Sequence, residues 1–325
     1  MRLLRVEVSR FFSRRAVVLL VLGAALLTGL LAGSRIWDTR PVSATDLAEA
    51  RAQVAEQLAQ PGFQRELRTC RDDPATFFGP GATAADCDAN LVPTPANYLN
   101  RATLDLAEER RGNGTALVVL VAALMVIVGT TYAGGDWHTG SISNQLLFEP
   151  RRTRVWATKA AVALVGCGVV AAVLLAAFWT ALALVARSRG IPTEPEAVTQ
   201  ILWESGRGVA LAAAGGLGGF ALTMLLRHTV GTLALLFAYA AGGEALLALL
   251  PVDGSARFSP TYNVFAWIRD GVRVYDQSLA CTPSQGPTCD QRLTITLLDG
   301  ATYLGVLLLV TLVVSALLFR RRDVP

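Results

Sequence analysis

Apolar residues gather in six blocks along the chain, at residues 16–34, 112–135, 160–186, 208–226, 229–252 and 300–319. Five of them hold no charged residue, and the fifth holds only Glu244. Each block approaches or exceeds the ~20 residues a helix needs to cross ~30 Å of hydrocarbon. The pattern predicts an all-α integral membrane protein of six transmembrane helices, the fifth placed at 229–250.

The polar ground between the blocks carries its own periodicities. In residues 1–15, "MRLLRVEVSRFFSRR", Leu4, Val8 and Phe11 or Phe12 recur at helical spacing among arginines. That pattern predicts an interfacial helix on an anionic leaflet, leading into span one. Residues 35–111 are too long for a connector. Helical stretches stand at both ends, around Leu47, Val54 and Leu58 and around Leu99, Leu104 and Leu106, with Pro74, Gly79, Pro80 and Gly81 between. We expect a small helical extracytoplasmic cap there. Residues 187–207 form an outer loop. Residues 251–299 form a second, in which Tyr262, Phe265 and Trp267 suit a short interfacial or re-entrant helix. Residues 320–325 make a basic tail.

Composition agrees with a membrane protein: 325 residues, 53% hydrophobic, 17% charged, mean hydropathy +0.45. The net charge of +4 does not form the single basic patch that nucleic acid would want. Arginines instead sit at block ends: 2, 5, 10, 14 and 15 before span one; Arg151, Arg152, Arg154 and the only lysine, Lys159, between spans two and three; Arg227 beside His228 between four and five; 320 to 322 after six. The positive-inside rule makes that side, and both termini, cytoplasmic. The first apolar run is longer than a signal-peptide core and lacks a small-x-small cleavage site, so a retained helix is expected.

Cysteine placement fits the orientation. Cys70 and Cys87 share one outer loop, Cys281 and Cys289 share the other, and Cys167 lies in span three. An oxidising exterior favours bridges 70–87 and 281–289, although four cysteines allow three pairings. Zinc is the weaker alternative: neither pair has C-x-x-C spacing, and His138 and His228 fall on the other side.

Three features are candidates for function. Glu244 is the one acid inside a span, where a carboxylate is costly; it either serves transport or snorkels to the outer surface. Gly215 and Gly219, four apart in span four, let another backbone approach, within this bundle or across a subunit interface. The third is "GDWHTGSISNQLLFEPRRTRVWATK", the 136–159 connection with its flanking Gly135. Thr139 or Ser141 can cap a short helix over residues 141–148, with Ile142 and Leu146 on one face beside Leu147, and Pro150 ends it. Such a stub either anchors on the membrane surface or docks a partner.

The segment resembles the cytoplasmic connection of ABC-2 type transporter permeases. An acid precedes Gly-Ser, a leucine-rich stub, Pro-Arg-Arg and a lysine opening the next span: Asp136, Gly140, Ser141, Leu146, Leu147, Pro150, Arg151, Arg152 and Lys159. Asp136 departs from the more usual glutamate. "GGFALTMLLRHTVGTLALL" is similar to the family's fourth-to-fifth hairpin, and the order of parts agrees over nearly the whole chain. The resemblance implies that 136–159 is a coupling segment seated in a separate ATP-binding subunit. It implies a multi-pass exporter subunit in a bacterial plasma membrane, paired with a second permease copy or a paralogue. ATP and magnesium would sit on the partner ATPase. This chain has no G-x-x-x-x-G-K-[ST], H-E-x-x-H or G-x-S-x-G, so no catalysis or cofactor of its own is expected. Two other classes remain open on the residues: an ion-coupled carrier centred on Glu244, and a sensor or assembly protein reading the exterior through its cap.

Overall fold

The computed structural model describes residues 2–99, 103–249, 254–276 and 292–321; Cys281 and Cys289 lie outside them. The chain divides into two units, one of residues 1–32 with 105–325 and one of residues 33–104.

The larger unit is a helical bundle. Six helices are long and apolar enough to cross a membrane: Arg15–Asp38, Leu106–His138, Arg152–Ser188, Pro195–Leu226, Thr229–Leu247 and Leu297–Arg321. We call them spans one to six. Each covers most or all of its apolar block, and spans two, three and four run well past theirs. A helix ends where its backbone bonds end rather than where its greasy residues do, so polar turns such as Arg152–Lys159 continue the same rod. A separate helix, Arg2–Ser13, precedes span one, as the leucine, valine and phenylalanine spacing predicts.

Span four is the axis, packed against spans two, three and six. Its contact with span two rests on missing side chains. A Cβ added at Gly129 would lie 1.9 Å from the Gly216 carbonyl oxygen, and one at Gly219 would lie 2.4 Å from that of Val126. Gly215 faces the Val126 side chain. The glycines at 215 and 219 therefore serve a seam inside this bundle. Cys167 is buried where span three meets it; an added Cβ at Gly216 would come within 2.4 Å of its sulfur.

At the end of the bundle where span four begins, the connection between spans five and six is structured over its described residues. Helix Pro260–Arg269 crosses closely against span six, where Gly300 leaves room for the Asn263 carbonyl, and Trp267 Nε1 donates to the Arg207 carbonyl at 2.9 Å. Next comes a two-stranded antiparallel sheet, β1 (Val272–Tyr275) paired with β2 (Arg292–Ile295), with Val274 opposite Leu293. The expected all-α fold is corrected to this extent. Period-two alternation over four residues is too brief to stand out in sequence, and the strands gain stability by packing Val274, Leu293 and Ile295 on Ala266.

The smaller unit contains helices Ala44–Ala59, Pro61–Asp72, Pro74–Phe78, Ala84–Leu91 and Pro95–Tyr98. Ser43 and Asp46 form a capping box at the first, and Thr83 and Asp86 do so at the fourth. The backbone N–H of Thr83 holds the Asp86 carboxyl below its ordinary pKa. Cys70 and Cys87, both fully buried, are disulfide-bonded and tie Pro61–Asp72 to Ala84–Leu91. The expected 70–87 bridge is present.

Candidate functional site

The 136–159 segment folds as the sequence suggests, with one change at its start. Span two ends at His138, and Gly140 turns the chain with φ of +65°, a conformation that glycine adopts at no steric cost. The stub helix Ser141–Phe148 follows with Gly140 at its N-cap position. Neither Thr139 nor Ser141 caps it; the Thr139 hydroxyl donates back to the Gly135 carbonyl at 2.8 Å. A reversal this sharp needs the left-handed residue more than a capping hydroxyl. Pro150 stands outside both helices, and span three starts at Arg152.

The stub has two dissimilar faces. Ile142 and Gln145 are buried, and Leu146 is half-buried. Leu147 and Phe148 are 81% and 91% exposed. Two adjacent large apolar side chains at the tip of a short helix are the kind of surface that a partner or a membrane covers. Beside them a groove of about 820 Å³ runs between the stub and helix Arg2–Ser13, lined by Val6, Arg10, Asn144, Gln145 and Phe148 among others. Arg154 reaches Glu149 at 3.2 Å, and Arg151 is exposed.

What holds the stub from behind is a buried ionic cluster. Lys159 Nζ lies 2.8 Å from Glu7 Oε2 and 2.7 Å from Asp136 Oδ2, with all three side chains fully buried. Tyr132 donates its hydroxyl to Glu7 Oε2 at 2.7 Å, and Gln145 Nε2 donates to Glu7 Oε1 at 2.7 Å. Arg14 pairs with Asp136 and donates to the Tyr132 carbonyl, its guanidinium 5.0 Å from the Tyr132 ring centre. Arg10 approaches Glu7 at 3.5 Å. Two carboxylates thus meet two close cations, Lys159 buried and Arg14 partly exposed, a balance that makes burial of the two acids and the lysine tolerable. The cluster joins four elements: the N-terminal helix, span two, the stub and the head of span three.

Sequence reasoning selected Asp136 and Lys159 but took neither as buried, and it missed Glu7, Arg14 as a ligand of Asp136, and Tyr132. A signal for Glu7 was present. It stands one helical turn before Phe11, on the apolar side of an otherwise basic helix, where an acid needs a buried cation. Ile142 belongs to the inner face, so its part in any docking is to seat the stub.

The other candidates separate from this site. Glu244 Oε1 accepts from the Ser259 hydroxyl at 2.7 Å and from the Thr261 N–H at 2.9 Å. It therefore holds the start of helix Pro260–Arg269, where backbone N–H groups lack helical partners.

No family model matches the chain, and neither a curated protein nor a solved structure shows similarity to it.

Proposed function

We propose that the chain is the membrane-spanning permease subunit of an ABC-2 type exporter, with the stub Ser141–Phe148 as its coupling helix. The observation that carries this reading is the stub's construction: an apolar tip, Leu147 and Phe148, projects outward while Gln145 and Ile142 are fastened to the bundle. A membrane anchor needs only the apolar tip. A helix that transmits force also needs rigid attachment behind it, and the Glu7–Lys159–Asp136 cluster supplies one to spans two and three together. In this reading a separate ATPase, carrying ATP and magnesium, grips the tip and the groove beside it. Closure of two such subunits displaces the stub, and spans two and three tilt with it because the cluster binds them as one body. Both termini and the stub face the cytoplasm of a bacterial cell, in keeping with the arginines at that end, and a second permease copy or paralogue completes the pathway. The solute is carried outward.

The test is purification in mild detergent from native membranes, scored for a stoichiometric ATPase, with wild type and a Leu147→Asp/Phe148→Asp variant side by side. Both substituted side chains are exposed, so the variant folds. We expect the ATPase with wild type and its loss with the variant. A variant that still retains the ATPase removes the coupling assignment, and a wild type that never brings one down removes the permease reading.

A further inference from the structure

A second recess lies at the same end of the bundle, between the start of span one, the last turns of span two and the start of span five. Its volume is about 520 Å³. Two consecutive glycines in span two shape it. Gly135 lets the Arg14 guanidinium pass, since an added Cβ would sit 2.6 Å from Nη1, and Gly134 leaves room for Thr229, whose hydroxyl oxygen would be 1.8 Å from such a Cβ.

The charges around this recess are one-sided. Arg14 and Arg15 line it beside the His138 imidazole, and among the described residues no carboxylate does, since Asp136 lies behind Arg14. Arg14 spends two donors on Asp136 and the Tyr132 carbonyl, which leaves guanidinium N–H groups over. Arg15 and His138 are exposed and have no ion-pair partner among the described residues. Most of the remaining wall is apolar, and the flanking helices present Val18, Leu19 and Val230 outward, 38%, 67% and 68% exposed. A cationic recess that opens beside apolar helix faces matches a molecule with an anionic head and hydrocarbon tails.

We infer that this recess binds a phosphate group, that of an anionic phospholipid in the adjoining leaflet or of a free phosphate anion, with Arg15 and His138 as its main ligands and Arg14 at its back. The inference rests on the six spans and these contacts, and it stands whether or not the chain couples to an ATPase. Arg14 belongs to both the recess and the buried cluster, so an occupant would lie one residue away from the stub's attachment.

The test uses the purified full chain in detergent and native mass spectrometry, with phosphatidylglycerol and phosphatidylcholine of identical tails as probes. We expect one phosphatidylglycerol held in preference to phosphatidylcholine. Replacing Arg15→Gln and His138→Gln together should weaken that preference about fivefold, because the Arg15 charge attracts an anionic headgroup and the His138 ring offers it a hydrogen-bond donor. Arg15→Lys should keep most of it. Arg320→Gln with Arg321→Gln, which removes two exposed cations elsewhere at the same end, should leave it unchanged; unaltered phosphatidylcholine retention reports that each variant is folded. Added inorganic phosphate distinguishes the sources: failure to displace the lipid assigns the site to a headgroup, and displacement by millimolar phosphate assigns it to the free anion. Equal retention of the two lipids, or the same loss from the Arg320/Arg321 variant, overturns the inference.

Discussion

Lys159 is the residue on which the buried cluster turns, because it is the one cation that touches both Glu7 and Asp136. Replacing Lys159→Met leaves Asp136 with Arg14 and Glu7 with only the longer 3.5 Å ionic contact to Arg10, and breaking a buried pair from one side costs about 3–5 kcal/mol. We expect a correspondingly lower thermal midpoint in nanodiscs. The double variant Glu7→Gln/Lys159→Met restores the charge balance and should melt above the single one; additive losses would mean that the contacts do not act as a unit. Glu244 behaves differently. Glu244→Gln keeps the oxygen that Ser259 and Thr261 address, so it should melt within about 1 kcal/mol of wild type, whereas Glu244→Ala loses both hydrogen bonds and about 1–2 kcal/mol. A large loss of a transport activity in the glutamine variant, without loss of stability, would favour an ion-coupled carrier instead. At this scale the sequence exposed the unusual residue types, a lone lysine and a lone intramembrane acid. It could not expose their partners, because Glu7 and Lys159 lie 152 positions apart and only the folded chain brings them together.

Among the elements, the six spans were legible because twenty apolar residues in a row have few other uses. Their ends were not, since spans two to four continue through polar turns held by helical bonds alone. The strand pair 272–275 and 292–295 stayed hidden for the opposite reason, being too short to carry a period. Glycine in a span was also ambiguous on sequence, marking either an internal seam or an open face, and the structure separates the two. At Gly129 and Gly219 an added methyl meets backbone, while at Gly23 and Gly29 nothing lies within 4 Å. Gly129→Ala or Gly219→Ala should therefore force spans two and four apart and cost roughly 1–3 kcal/mol or more, as overpacking does. Gly23→Ala should be neutral. Resistance to unfolding in mixed micelles reads the difference, and equal behaviour of the two classes would deny the seam. In the smaller unit, Cys70→Ser with Cys87→Ser should cost about 3 kcal/mol, the worth of closing a loop of this length. Proteolysis confined to residues 33–104 is the expected sign.

For the whole molecule, burial is unevenly shared. Within their most apolar windows, spans two, three and four are 56%, 50% and 44% buried, whereas spans one, five and six are only 22%, 6% and 11% buried. The three inner helices carry the glycine seam and two of the three fully buried charges of the ionic cluster, so they form the core of the bundle. The outer three present long apolar surfaces that lipid or another chain must cover. Hydrocarbon contact alone would satisfy those surfaces energetically, since tails are as apolar as leucine. The permease reading demands more, because a closed pathway built from six spans needs a second set. It therefore predicts two permease chains in one particle, and the least buried span is where they should meet. Phe237 is 73% exposed on span five, and the one free cysteine among the described residues, Cys167, is buried. Phe237→Cys, oxidised in native membranes, should give a band of twice the chain mass, or of chain plus paralogue, and Leu309→Cys on span six tests the neighbouring face. Mass photometry of the wild type in lipid nanodiscs supplies the independent count. Particles holding a single chain, with no cross-link from either cysteine, would leave the bundle as a monomer in lipid, and the exporter reading would fall with the dimer it requires.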